Sequence, residues 1–467
     1  MNKNEQVLRT RDDRTPVVCM TVAGPPDGEP AFNLAPGSEC SWAAPGESFG
    51  TDKLRSRIEP WLTALFQSEH LSIVVGSGLT QAVHSLARES ALPGMKLTVF
   101  SDFGTEIDAE AARVAEVAGR SPGNIEDQIR AASELLRGLE IASLNDAALA
   151  SRAKTLRADL TRVMKEFADS ILLGEHGIAT ADPENVERAF DYLVSFLMSF
   201  ASRTGTRERL QVFTTNYDRV LEAGADIAGL HLLDRFVGTV APIFRASRLD
   251  LDMHYNPPGI RGEPRYLEGV AKYTKLHGSV DWVQVGQTIK RLGVPFGAQD
   301  LGSYLEAPGF QGADALKVMI YPNASKDRET AAYPYVELLR DFAATVCRPN
   351  STVVTFGYGF GDEHINRVIE DMLTVPSTHL VVIAYGDPLG RITKTYDRLG
   401  RGSQITLLVG DHLGDLRALV DHYLPKPSID RATFRMSELL KARWTGSAAA
   451  AQVEPESSGA HEEAVAP

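Results

Sequence analysis

Two short segments far apart in the chain place polar side chains just beyond an apolar run: FTTNYDRVLE at 213–222 and KLHGSVDW at 275–282. In the first, Thr214, Thr215, Asn216, Tyr217 and Asp218 follow a strand-like stretch. The Asn216 amide can both donate and accept hydrogen bonds. Asp218 can accept from a sugar hydroxyl or cap the helix that follows. In the second, His277 closes an apolar run against a glycine turn. An imidazole titrates near neutral pH and suits a general base. A single histidine is more often structural, but this one is expected at the same sheet edge as the Asn216 loop, which favours a chemical role. Trp282 reads as core or pocket wall.

Two glycine segments supply a different kind of chemistry. VVGSGLT at 74–80 is strand, glycine turn, helix. Gly76 and Gly78 around Ser77 permit a tight turn and close backbone approach, and the helix N-terminus behind them favours an anion. The third glycine of the dinucleotide fingerprint is missing, so a plain strand-to-helix turn fits these residues equally well. TFGYGFGDEHIN at 355–366 alternates Gly357, Gly359 and Gly361 after a strand, and Asp362 can cap the next helix. Flexible backbone ahead of a helix start suits a ribose or an adenine. His364 reads as a first-turn helix residue. GNIEDQI at 123–129 reads as a helix start, and MIYPNASKDRETAAYPY at 319–335 as a strand leading into a loop with Lys326 and Arg328.

The elements that must position these residues follow from periodicity. A helix is expected at 52–67. Short apolar strands are expected at 71–75, 96–100, 210–214, 273–277, 317–321, 352–356 and 379–385, with helices at 328–346 and 364–373 between the later ones. Strands alternating with helices imply an α/β fold, a Rossmann-like doubly wound parallel sheet. From 106 to 204 the pattern turns helical: Leu149, Leu156, Leu160, Val163, Phe167 and Ile171 share one face, and Asp182-Pro183 reads as an N-cap with a first-turn proline. The stretch 186–200 is apolar on most sides. This region is expected as a helical insertion, and 225–310 as a small irregular, β-rich insertion over the site. Residues 1–50, rich in Pro, Gly and Ser, read as a disordered arm, and 446–467 as a disordered acidic tail. The ordered domain is expected to span 51–445.

Composition narrows the partners. Of 467 residues, 61 are acidic and 48 basic, a net charge of −13 that disfavours direct nucleic-acid binding. The three cysteines, Cys19, Cys40 and Cys347, are scattered and build neither a disulfide framework nor a cysteine zinc site. No signal-like stretch opens the chain and no apolar run reaches membrane-spanning length, so a cytoplasmic protein is expected.

Taken in order, the GSG turn, TTNYD, LHGSVDW, IYPN…YPY and FGYGFGDEHIN resemble the bacterial sirtuin-like domain family over roughly 65–445. In style they are nearest to the NAD-degrading effectors of anti-phage systems. The resemblance implies that NAD is the substrate and that the nicotinamide–ribose bond is cleaved. It makes Asn216 and His277 catalytic, and Gly76 and Gly78 phosphate-binding. The wider NAD-contacting set it implies is Gly76, Ser77, Gly78, Thr215, Asp218, Gly357, Tyr358, Gly359 and Asp362, with no metal. The 357–362 loop is expected to close over the adenosine half. Three features depart from deacetylating sirtuins. The four-cysteine zinc module cannot be built, Ser77 stands where alanine is usual, and the Gly-Ile-Pro-Asp-Phe-Arg segment is absent, with Asp102-Phe103 as a remnant. These departures favour hydrolysis over protein deacylation or ADP-ribosyl transfer; a non-catalytic NAD or ADP-ribose module is a further alternative. A free NAD hydrolase is toxic, so gating is expected, through a homo-oligomer and a partner ATPase of the HerA type. The 106–204 helices offer either an assembly surface or ordinary intrachain packing.

Overall fold

The computed structural model describes residues 4–22, 30–90, 92, 96–117, 123–203, 207–247, 252–255, 265–310 and 333–426. The expected strand at 317–321, Lys326, Arg328 and the 446–467 tail lie outside these residues. The described helices and strands belong to one unit, Met1–Pro425.

Seven strands form a parallel sheet: β5 (His70–Val75), β6 (Gln211–Thr214), β7 (His231–Leu233), β12 (Val270–Lys275), β15 (Ser351–Phe356), β16 (His379–Ala384) and β17 (Ile405–Val409). Their order is β17-β16-β15-β5-β6-β12-β7, with every neighbouring pair parallel. This is the Rossmann-like, doubly wound α/β fold. β5, β15 and β17 are buried at successive positions, as both faces of a covered parallel sheet require. From β5 the chain later adds β6 on one side and β15 on the other. The order of addition therefore reverses at β5, and a crevice opens there beyond the carboxyl ends of the strands.

The N-terminal segment differs from the arm expected of it. Residues 5–49 form β1 (Glu5–Arg9), β2 (Val17–Val22), β3 (Ala31–Leu34) and β4 (Ser48–Phe49), an antiparallel run that joins the sheet through β1 against β17. Leu8, Val17, Cys19 and Phe32 are buried in the core. Fifty residues rich in Pro, Gly and Ser read as disorder on average, but alternate burial within strands as short as these gives a period-2 pattern too brief to dominate that average. The expected strand at 96–100 does not form. Both edges of β5 are taken by β6 and β15, and one glutamine side chain satisfies the Thr98 backbone, Gln128 Oε1 accepting its N–H and Nε2 donating to its C=O, each at 2.9 Å.

Helices cover both faces of the sheet. α1 (Thr51–Phe66), α2 (Ser77–Arg88), α6 (Pro183–Ala201) and α7 (Val220–Ala228) share one apolar core with β5 and β6. Helices Tyr335–Val346, Glu363–Leu373 and Arg391–Leu399 share the opposite one. The helical region therefore divides. α3 (Gly104–Val117), α4 (Ile125–Ala142) and the 33-residue α5 (Ala147–Ala179) build a separate core around Ile129, Leu156, Val163 and Phe167. α6 belongs to the sheet, with Leu193, Phe196 and Phe200 buried inside the chain. The apolar stretch of α6 is thus covered intramolecularly. Local chemistry starts these helices: Asn124 and Asp127 form a reciprocal capping box on α4, Asp146 caps α5, and Asp182 ahead of Pro183 caps α6.

Within 225–310, besides β7 and β12, lie two small antiparallel sheets. One orders β13 (Trp282–Val285), β14 (Thr288–Arg291), β9 (Ile243–Phe244) and β8 (Phe236–Val237). The other pairs β10 (His254–Tyr255) with β11 (Arg265–Tyr266).

Candidate active site

Four loops meet where the sheet order reverses. A cavity of about 370 Å³ lies among the residues that follow β5, β6, β12 and β15. Asn216 and His277, separated by most of the intervening α7–β12 segment, both line it, as do Gly76, Ser77, Thr215, Asp218, Gly357, Tyr358, Gly359 and Asp362. The parallel register explains the meeting. Lys275 is the register partner of Thr214, so two residues beyond β6 and two beyond β12 arrive at the same height.

The hydrogen bonds around Asn216 decide which of its atoms is available. Its backbone N–H donates to Thr214 Oγ1 (3.0 Å), and Thr214 Oγ1 in turn donates to the Val75 carbonyl (2.9 Å). Its side-chain Nδ2 donates to the Gly76 carbonyl (3.1 Å) and to Thr80 Oγ1 (3.0 Å). Thr80 Oγ1 passes its own proton to Asp218 Oδ2 at 2.8 Å. Both amide hydrogens are thereby used, and the amide is held with Oδ1, an acceptor, as the remaining group. Of the two roles read from sequence, Asp218 takes the contact at the helix start, and its other oxygen goes to Thr80. Its Oδ1 accepts the Val220 N–H at the start of α7 (3.1 Å), while Oδ2 holds Thr80.

His277 is 1% exposed, so its ring is fixed by packing. Its Nε2 lies 3.9 Å from Asp362 Oδ1, and its ring centroid is 6.0 Å from that of His364. Asp362 is the N-cap residue of helix Glu363–Leu373, yet its side chain makes no capping bond. It faces the imidazole instead. The donor atoms of His277, Asp362 and His364 all lie within 4.8 Å of one another. Two imidazoles and a carboxylate at that spacing can share protons or take a divalent ion, chemistry that the expectation of no metal did not include.

The glycines act differently from the anion cradle expected of them. The Gly76 and Gly78 N–H groups donate to the carbonyls of Phe356 (3.0 Å) and Gly357 (3.1 Å). A Cβ on Gly76 would lie 2.4 Å from the Gly357 carbonyl oxygen, and one on Gly78 would lie 2.5 Å from the Gly357 Cα. Gly357 itself has φ of +60°. The GSG turn and the late glycine loop are therefore packed backbone to backbone, and Gly78 is spent on that contact rather than on the cavity wall. Ser77, by contrast, is exposed at the cavity. The Tyr358 ring is buried, and its hydroxyl donates to Asn366 Oδ1 at 3.0 Å, tying the loop to the following helix.

Several lining residues had no site role read from sequence, among them Thr80, Glu126, Glu175 and Arg391. Thr80 carries its hydroxyl one turn into α2. Glu126 and Glu175 come from α4 and α5, so the helical insertion forms a wall of the cavity. Arg391 starts the helix after β16, and a Cβ on Gly361 would lie 2.6 Å from its Nη1. Burial raises the Glu175 carboxyl to about 7, against the pull of the Arg219 guanidinium beside it. Glu175 Oε1 also accepts the Arg219 backbone N–H at 2.7 Å, which ties the insertion to the Asn216 loop. The β-rich insertion, expected above the site, contributes no wall among the described residues apart from His277, at the end of β12.

A doubly wound parallel sheet with glycine loops, a fixed amide and a buried imidazole at its point of reversal defines an α/β protein with its candidate ligand site at the carboxyl ends of the strands. Residues 210–407 match a family model described as a SIR2-like domain, and this part of the chain is similar to that family. The match spans Asn216, His277 and the 357–362 loop and begins after the GSG turn and the helical insertion. No curated protein matches the chain. Among the described residues no helix is long and apolar enough to cross a membrane.

Proposed function

We propose that the protein hydrolyses NAD to nicotinamide and ADP-ribose. The reading rests above all on one observation: the Asn216 amide and the His277 imidazole line a single cavity at the sheet's point of reversal. As nicotinamide leaves, positive charge grows on the ribose. The cavity wall holds Glu126, Asp218 and Asp362 against Arg391, an acidic balance that suits a developing cation. Arg391 and the Ser77 and Thr215 hydroxyls are the groups suited to the pyrophosphate and ribose. Asn216 Oδ1, with its amide hydrogens engaged elsewhere, accepts from the attacking water or from a ribose hydroxyl. His277 takes the proton released, with Asp362 beside its Nε2 to stabilise the imidazolium. Holding sugar, water and base together supplies most of the acceleration.

Water is favoured as the acceptor over an acyl-lysine or a protein side chain because the three cysteines cannot supply the zinc module of protein-deacetylating relatives. Cellular use as an anti-phage effector, gated by self-assembly and by a HerA-type ATPase, is consistent with the toxicity of unrestrained NAD loss. Light scattering alone and with the protein encoded next door tests that part. The catalytic proposal is tested by incubating purified protein with NAD and separating products by chromatography. Nicotinamide and ADP-ribose in equal amounts are expected from the wild type, and neither from Asn216→Ala or His277→Ala. Nicotinamide release that persists in Asn216→Ala overturns the proposal; transfer of labelled ADP-ribose to protein, or tight NAD binding without turnover in the presence of the partner, replaces it.

A further inference from the structure

Three donor groups converge at the wall of the cavity. His277 stands two residues beyond β12, and Asp362 and His364 stand at the start of helix Glu363–Leu373. His277 Nε2 lies 3.9 Å from Asp362 Oδ1, and the donor atoms of all three residues lie within 4.8 Å of one another. His277 and Asp362 both line the cavity, so the cluster is reached from it. The helix start that carries Asp362 and His364 is itself held. The Tyr358 hydroxyl donates to Asn366 Oδ1 at 3.0 Å, and Asn366 Nδ2 donates to the Phe360 carbonyl at 3.1 Å, which fastens the glycine loop to the first turns of the helix.

Two imidazole nitrogens and one carboxylate oxygen are the donor set of borderline transition ions, whereas magnesium and calcium take oxygen ligands. Bonds of about 2.0–2.2 Å place the ligand atoms of a tetrahedral zinc roughly 3.3–3.6 Å apart. The His277–Asp362 pair, at 3.9 Å, closes to that spacing with a shift of a few tenths of an ångström. The wider separations close by rotation of Asp362 and His364, which are both only partly buried, around the fixed ring of His277, which is 1% exposed. The positive end of the helix opposes a cation, and the Asp362 and Glu363 carboxylates at that end answer it. Three protein ligands leave one position of the ion open to the cavity.

We propose that His277, Asp362 and His364 form a site for a divalent transition ion of the zinc type, and that the ion silences the enzyme. The silencing rests on the reading of His277 as the base in NAD hydrolysis. An ion on Nε2 takes the lone pair that would accept the proton of water, and it draws the Asp362 carboxylate away from the imidazole. It also sets two positive charges beside a ribose on which positive charge must grow, the reverse of what the transition state needs. An ion-bound hydroxide could in principle attack the sugar, but that repulsion weighs against it. The chain free of metal is therefore the active form.

Calorimetry of the full, chelator-stripped chain with zinc, and separately with magnesium, tests the site without reference to turnover. Saturable zinc binding is expected, weakened at least about tenfold in His364→Ala, since loss even of a group that only supports a ligand costs that much. Cobalt in place of zinc is expected to give visible absorption bands in the wild type that His364→Ala lacks. Asp362→Asn, which keeps the shape of the side chain, decides the matter if His364→Ala does not fold. Nicotinamide release by the wild type is expected to fall at least about tenfold as zinc saturates, a floor below the usual contribution of a general base, while the ratio of rates with and without zinc stays near one in His364→Ala. The proposal is overturned by an absence of saturable zinc binding, by zinc binding that neither variant weakens, by magnesium binding of equal strength, or by zinc-loaded wild type that turns over NAD as fast as the stripped chain. A chain that binds zinc as expected yet never releases nicotinamide sinks the hydrolase reading, and the silencing with it, while the metal site stands.

Discussion

Replacing Thr80 by valine removes one oxygen and little volume, and that oxygen is the hinge of the Asn216 arrangement. Thr80 Oγ1 accepts from Asn216 Nδ2 at 3.0 Å and donates to Asp218 Oδ2 at 2.8 Å. The first bond is neutral, worth about 1 kcal/mol net, and the second is charge-assisted, worth about 1.5–3 kcal/mol. Asn216 is 7% exposed, so water cannot replace the lost acceptor at the amide, whereas Asp218 is partly exposed and recovers some solvation. A stability loss of about 2 kcal/mol follows. The effect on turnover has a different origin. Without Thr80 the amide keeps one bond, to the Gly76 carbonyl, and Oδ1 is no longer held as the group that faces substrate. A loss of orientation worth about 1.4–2.8 kcal/mol lowers kcat roughly tenfold to a hundredfold. The assay is nicotinamide release at saturating NAD, with thermal unfolding measured in parallel. Thr80→Ser retains the hydroxyl and is expected to keep most of the activity. Wild-type kcat in Thr80→Val, or a Thr80→Ser variant as impaired as valine, refutes the reasoning.

Two further outcomes are expected. Gly357→Ala should destabilise the protein by more than about 2 kcal/mol, because φ of +60° strains any L side chain and the new Cβ meets Gly78 Cα at 2.6 Å; a denaturation midpoint equal to the wild type's contradicts the backbone contact between the two glycine loops. Glu175 makes stability pH-dependent. Its carboxyl holds a proton up to about pH 7 in the folded chain and up to the ordinary 4.5 when unfolded, so its contribution is fullest below 4.5 and is lost as pH rises to 7. Relative to Glu175→Gln, which does not titrate, the wild type is expected to lose up to about 3 kcal/mol across that window in urea titrations, and a difference that stays flat with pH rules this out.

The motifs that carry chemistry were legible in the sequence because each depends on a few adjacent residues. An amide, a carboxylate and hydroxyls after an apolar run, or a histidine before a glycine turn, already name a loop at a strand's carboxyl end, and alternating strands and helices already name the sheet. Caps such as Asp182-Pro183 are equally local. Composition alone excluded a cysteine zinc module.

What the tertiary structure decided concerns partners distant in the chain. Strand β1 joined the sheet because β17, some four hundred residues later, offered an edge, whereas 96–100 formed no strand and the Thr98 backbone is met by the Gln128 side chain. The glycines of the first turn met another glycine loop instead of open space, which the spacing of Gly76 and Gly78 could not reveal. Thr80, Glu175 and Arg391 carry no motif of their own; they reach the cavity because α2, α5 and the helix after β16 are packed around it. Local sequence sets which conformations and protons a residue can offer, while the direction in which Asn216 presents its oxygen depends on acceptors supplied by Gly76 and Thr80, well over a hundred positions away.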